Sequence, residues 1–154
     1  MYLKASKYLS GGWKHSTDAE KKQHAAVCRA AKIPKSAFCE NSGGMEVSWT
    51  AAYWRKANAI HKWFVDNVQG GNDQCQLSYV SREQLQKLYN LCSEVLADKS
   101  LAATKLPPQS GFFFGSTEIS DWYWSDIQYT VEQLKNLLDN QAFEDCEFYY
   151  QASW

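Results

Sequence analysis

Apolar positions recur along the chain at two periods, and together they predict short strands alternating with amphipathic helices. Met1 to Leu9 alternates loosely, as a strand does, and Gly11-Gly12 ends it. Thr17-Asp18 caps a helix running through about Ala31, which Pro34 terminates. Asn41-Ser42-Gly43-Gly44 reads as a turn, and Met45 to Trp49 as a short strand or an extended entry. The clearest helical pattern spans about Thr50 to Val68 and closes at Gly70-Gly71. There Tyr53, Ala57, Ile60, Phe64 and Val68 share one stripe and predict the core face, with Arg55, Lys62 and Asp66 opposite, toward solvent. Ser81-Arg82-Glu83-Gln84 has the form of a capping box, and Leu85, Leu88, Leu91, Cys92 and Val95 follow as a buried face. Lys99 to Ser110, which contains Pro107-Pro108, reads as a loop. Phe112-Phe113-Phe114, apolar and bounded by glycines, predicts a buried strand. A further helix runs from about Ser120 to Asp139, with Trp124, Ile127, Val131, Leu134 and Leu138 inward. From Cys146 the chain alternates again, and Cys146, Phe148, Tyr150, Ala152 and Trp154 fall on one face of a half-buried strand.

These elements predict an α+β fold: a small antiparallel sheet of the N-terminal, Phe112 and C-terminal strands, packed with three to four helices. No repeat or low-complexity linker interrupts the pattern, and 154 residues suit a single domain, 1–154.

Charge narrows the partners. A net charge of -1 gives no field that favours bulk nucleic acid or an acidic membrane, although a local cluster still suffices for a small anion. The longest apolar runs are far too short to span a bilayer, and the first residues are polar and mixed, unlike a signal peptide. The five cysteines are odd in number and include no CxxC pair, which argues against a disulfide framework or a zinc knuckle. Buried free thiols in a reducing, cytoplasmic compartment are the reading that follows. Aromatic residues make up 15% of the chain, with seven Trp, so either the core is ring-rich or some rings line a binding surface for a flat ligand or a protein partner.

Two segments carry candidate binding chemistry. On the Thr50–Val68 helix, Trp54, Asn58, His61 and Val65 follow spacings of four, three and four, beside the core stripe. A ring, an amide and an imidazole in one row suit stacking on a flat ligand and bonding to its edge. The alternative is an amphipathic boundary whose Trp packs and whose polar groups bond to backbone. Arg55 and Lys62 add positive charge, or form an ordinary solvated face. In the second segment, Gly115-Ser116-Thr117 follows a strand and precedes a helix, an arrangement suited to a phosphate or carboxylate. No P-loop Lys follows, Glu118 and Asp121 oppose an anion, and the alternative is a turn in which Ser116 or Ser120 caps the helix. In the Trp122-Tyr123-Trp124 run, Trp124 is phased into the core and Trp122 away from it. Catalysis finds little support. HExxH, GxSxG and an EF-hand loop are absent, and His15, His24 and His61 are not at metal-ligand spacings. No cofactor or metal is expected.

Tyr53–Gln69 (YWRKANAIHKWFVDNVQ), Val80–Leu85 (VSREQL) and Gln109–Glu118 (QSGFFFGSTE) resemble, in order and spacing, a widespread family of small bacteriophage proteins. Members of that family often start MGLDMYL, to which Met1-Tyr2-Leu3 corresponds, and the resemblance covers about Tyr53 to Leu138. It implies an accessory protein acting in the cytoplasm of an infected bacterium, as a host-takeover or anti-defence factor. Two routes follow from that context: sequestering a nucleotide-derived immune signal, or binding and blocking a host defence protein. A phosphodiesterase acting on such a signal is a third, resting on His61. For the first, the expected ligand-binding residues are Trp54, Arg55, Asn58, His61, Lys62, Gly115, Ser116, Thr117 and Trp122, in a homo-oligomer.

Overall fold

The C-terminal strand is where the alternation of apolar and polar residues meets its prediction most directly. In a computed structural model, which describes residues 1–38, 43–110 and 116–153, β4 runs Glu147–Gln151. Cys146, Phe148, Tyr150 and Ala152 are buried along one face. The other strands are β1 (Tyr2–Leu9), β2 (Met45–Tyr53) and β3 (Ser78–Val80), and the order across the antiparallel sheet is β2-β1-β4-β3. β3 pairs antiparallel with β4, with Ser78 opposite Tyr150, Tyr79 opposite Tyr149 and Val80 opposite Phe148. Three residues are too few for a periodic signal, which is why sequence patterning does not find β3. The predicted Phe112–Phe114 strand lies outside the described residues, as do Gly115, Cys39, Asn41, Ser42 and Trp154.

The described helices are α1 (Asp18–Ala30), α2 (Asn58–Asn67), α3 (Arg82–Ala97), the one-turn α4 (Ala102–Lys105) and α5 (Asp121–Asp139). Thr17 and Glu20 form a capping box at α1, and Ser81 and Gln84 form the predicted one at α3. The predicted loop after α3 contains a 3-10 turn at Lys99–Leu101 and then α4.

The backbone divides into two compact units, Met1–Ala5 with Trp49–Trp154, and Ser6–Ser48. The larger has a continuous apolar core. Leu3 of β1, Phe148 and Tyr150 of β4, Ile60 and Phe64 of α2, Leu85 and Leu88 of α3, and Ile127 and Leu134 of α5 are its centre. The rings of Phe64 and Tyr150 stack with centroids 4.0 Å apart. In the smaller unit, Gly11 lies directly against the Glu20 carbonyl and the His24 side chain of α1, with no room for a Cβ.

Two predicted helices need correction. The Thr50–Val68 helix starts eight residues late, because Thr50–Tyr53 belong to β2. Met1 and Trp54 exchange a pair of backbone hydrogen bonds, each 3.0 Å, so sheet pairing claims the stretch that local periodicity assigned to the helix. Tyr53 is consequently exposed rather than in the core. In α5 the inner face is Tyr123, Ile127, Thr130, Leu134 and Leu137, while Trp124, Val131 and Leu138 are only partly buried. The predicted and observed stripes share Ile127 and Leu134. The observed rotation lets Tyr123 donate to the Leu106 carbonyl at 2.9 Å and Thr130 accept from the Trp54 indole N–H at 2.9 Å.

Arg82, the first residue of α3, ties the C-terminal end of α5 in place. Its guanidinium donates to the carbonyls of Leu138 at 3.0 Å and Phe143 at 2.8 Å, with a longer contact to Leu137. A cation at carbonyls left unpaired by a helix end is favourable by charge and by dipole. Arg82→Met keeps the aliphatic bulk and removes these bonds. It is expected to lower the unfolding free energy by about 2 kcal/mol, read as a shift of the urea midpoint with an unchanged slope. An unshifted midpoint would show that the Arg82 bonds contribute nothing net.

Candidate functional site

The strand-to-helix turn between β2 and α2 decides what becomes of the Trp54 row. Lys56 adopts φ 61°, a left-handed backbone that a residue with a Cβ seldom takes, and this reverses the chain before α2 begins. Trp54 therefore precedes the helix instead of lying on it. It is buried, its N–H held by Thr130 and its ring packed against Phe64 and Tyr129. Asn58 is buried too and donates to the Ser116 carbonyl at 2.8 Å. α2 is enclosed on nearly all sides, including Trp63, Phe64 and Val65. Here the structural alternative holds: the Trp packs and the amide bonds to backbone.

His61 is equally enclosed. Its Nδ1 lies 2.6 Å from the Tyr150 hydroxyl and its Nε2 3.0 Å from Asp73 Oδ2. These bonds are satisfied together when Nε2–H donates to the carboxylate and Nδ1 accepts from the phenol. Burial and the Asp73 charge push the Tyr150 phenol well above its ordinary value, so it stays protonated and able to donate. Both ring nitrogens of His61 are thus engaged inside the core. Lys62 is half-buried and paired to Asp66 at 2.6 Å, one helical turn on.

Ser116 and Thr117 are exposed but do not stand at a helix N-terminus. α5 begins at Asp121, its cap position is Ser120 with no side-chain hydrogen bond, and Ser116 Oγ instead accepts from the Glu118 N–H at 3.0 Å. Trp122, in the first turn of α5, is 82% exposed.

What these segments do share is a concavity. It has a volume of about 600 Å³ and lies within the larger unit, between the Tyr53–Ile60 stretch and the first turns of α5. Of the nine residues expected from sequence, Trp54, Arg55, Asn58, Ser116 and Trp122 line it; His61, Lys62 and Thr117 do not, and Gly115 lies outside the described residues. Arg55 and Lys56 bring two cations to its wall, Glu118 and Asp126 two carboxylates. Tyr53 and Tyr129 add rings, joined by a bond from the Tyr53 N–H to the Tyr129 hydroxyl at 3.3 Å.

Asp126 is the residue that sequence reasoning missed. Burial raises its carboxyl from 3.8 to about 6, and its side chain has no hydrogen bond or ion pair among the described residues. A partly desolvated, unpartnered carboxylate in a concavity is costly to the fold, and such groups concentrate at functional sites. The available signal was its spacing: Trp122, Asp126 and Tyr129 lie four and three residues apart, on one face of α5. The cost is measurable. The native state holds the Asp126 proton more tightly than the unfolded chain, so its penalty is absent below pH 4 and grows to full size above about pH 6. Asp126→Asn is expected to stabilise the protein by about 1 kcal/mol at pH 7.5, after discounting for partial exposure, and not at pH 3.5. Paired urea titrations at the two pH values check this; equal effects at both would remove Asp126 as the cause.

The smaller unit has a concavity of its own, about 750 Å³, lined among others by Trp13, Lys14, Lys21, His24, Cys28 and Phe38. His24 Nδ1 lies 3.6 Å from Cys28 Sγ there. None of the expected binding residues is among its lining. Among the described residues Cys28, Cys75 and Cys92 are free thiols, and burial pushes Cys92 up to about 12, which keeps it protonated and inert. No described helix is long and apolar enough to cross a membrane.

Compared with known proteins, the chain matches no family model, no curated protein and no solved structure.

Proposed function

We propose that this protein binds and sequesters a nucleotide-type small molecule in the concavity between the β2–α2 turn and α5. The observation that carries the reading is Trp122, an indole 82% exposed that lines the same cleft as Arg55 and Lys56. An exposed ring is a stacking platform for a base, and paired cations beside it suit phosphate. The strained φ of Lys56 places backbone energy at that same wall. The resemblance to bacteriophage proteins gives the activity a purpose, removal of a nucleotide-derived immune signal inside an infected bacterium. A symmetric homo-oligomer is the expected assembly.

Calorimetry with a panel of mononucleotides, cyclic mononucleotides and cyclic dinucleotides tests the reading. Saturable heat with at least one supports it, and no heat with any sinks it. Heating the complex and recovering the ligand intact supports sequestration, whereas recovered product would make the protein an enzyme. The phosphodiesterase reading no longer has His61 behind it, because that imidazole is enclosed and held on both sides.

A second reading is a protein-binding inhibitor of a host defence effector. Among the described strands β3 is at the edge of the sheet, and Leu77 just before it and Tyr79 within it are 52% and 58% exposed. A single stoichiometric protein captured from host lysate, lost on Tyr79→Lys, favours this reading over the first.

A further inference from the structure

A base stacked on Trp122 meets Asp126 next, since the two are one helical turn apart on α5 and both line the cleft. An ionised carboxylate accepts hydrogen bonds and donates none. Its two oxygens are best matched by two adjacent N–H donors in one plane. Among the common bases in their neutral forms, guanine alone presents that pair, at N1 and the 2-amino group. Adenine and cytosine place a ring-nitrogen acceptor beside the amino group, and uracil flanks its one N–H with two carbonyls. Each of those edges sets a lone pair against the carboxylate, which costs affinity.

The charges around the cleft fit the same orientation. Glu118 and Asp126 both line it, so a phosphate is repelled by these carboxylates and drawn to Arg55 and Lys56. No described basic or polar side chain neutralises the Asp126 carboxylate in the free protein. A donor pair on the ligand would therefore meet a group that is already partly desolvated and has no bond to a described side chain to give up.

We infer that the cleft selects a guanine nucleotide, with the Asp126 carboxylate accepting from the base N1–H and 2-amino group while the ring stacks on Trp122. This inference rests on the binding reading above and adds the identity of the base and the residue that reads it.

The test is calorimetry at pH 7.5 with GMP, IMP, AMP, CMP and UMP. IMP has the guanine ring system without the 2-amino group and probes the second bond with no change to the protein. One charge-assisted bond corresponds to roughly tenfold in affinity or more, so IMP is expected to bind about 10-fold more weakly than GMP, and AMP at least ~30-fold more weakly. Asp126→Asn offers one acceptor and one donor in place of two acceptors. It is expected to weaken GMP by about 30-fold and to strengthen AMP by roughly tenfold, because the amide's donor and acceptor match adenine's ring nitrogen and amino group. Circular dichroism melting of the variant confirms the fold, and the GMP-to-IMP ratio stands regardless of it. Equal affinity for GMP and AMP, or a GMP preference that survives in Asp126→Asn, overturns the selection of guanine and leaves nucleotide binding intact. Failure of all five ligands to bind overturns the selection of guanine, and the binding reading falls with it when the cyclic mononucleotides and cyclic dinucleotides also give no heat.

Discussion

His61→Ala is expected to lower the unfolding free energy by about 3–4 kcal/mol, the largest effect of any single change considered for this protein. Three costs add. The imidazole is fully enclosed, so its loss leaves a cavity beside the stacked Phe64 and Tyr150 rings. The Tyr150 hydroxyl, equally enclosed, loses its 2.6 Å acceptor, and Asp73 loses its 3.0 Å donor from Nε2. Tyr150→Phe separates these contributions, because it keeps the stacked ring and deletes only the phenol; its cost is expected to be about 1–2 kcal/mol. Urea unfolding followed by fluorescence reads both. In a chain of 154 residues the His61 change corresponds to a fall of roughly 10 °C in midpoint temperature. If His61→Ala unfolds within 1 kcal/mol of the parent, the Asp73–His61–Tyr150 chain is not a structural device, and a role for the imidazole in ligand chemistry returns.

Trp122→Ala should do the reverse: leave stability within about 0.5 kcal/mol and reduce nucleotide affinity by about 10- to 100-fold. The first half follows from 82% exposure, which leaves little burial to lose. The second follows from the stacking energy of one base on one indole, about 1–3 kcal/mol. Parallel melting and titration of the variant separate the two quantities. Binding that is unchanged would place the ligand away from α5 and would remove the main support for a nucleotide in this cleft. The two predictions divide the aromatic-rich composition into rings that hold the fold and a ring that meets a guest.

The features legible from the chain alone are those decided within a few residues. Ser81 with Gln84 satisfies helix N–H groups through side chains three residues apart, so that capping box is a sequence fact that the structure repeats, and Thr17 caps α1 as its place before the helix predicts. The alternation that buries Phe148 and Tyr150 follows from the two-residue period of a strand, whatever pairs with it. Exposure of Trp122 followed from its phase on a helix whose other contacts were apolar.

Tertiary structure decided what depends on a distant partner. Thr50–Tyr53 joined β2, and Trp54 left the helix, because the backbone at Met1 was there to pair with it. α5 turned to bury Tyr123 and Thr130 in place of Trp124 and Val131, since a phenol and a hydroxyl found partners at Leu106 and Trp54. His61 and Asn58, polar and spaced as a binding row, were drawn inward once Asp73, Tyr150 and Ser116 offered them hydrogen bonds. Asp126 became notable for the opposite reason, a carboxylate half-enclosed by a wall of residues some seventy positions earlier and given no side-chain partner among the described residues. Local periodicity can say which way a side chain leans on its own element. It cannot say whether a polar atom, once there, will find another to bond, because that atom comes from elsewhere in the chain.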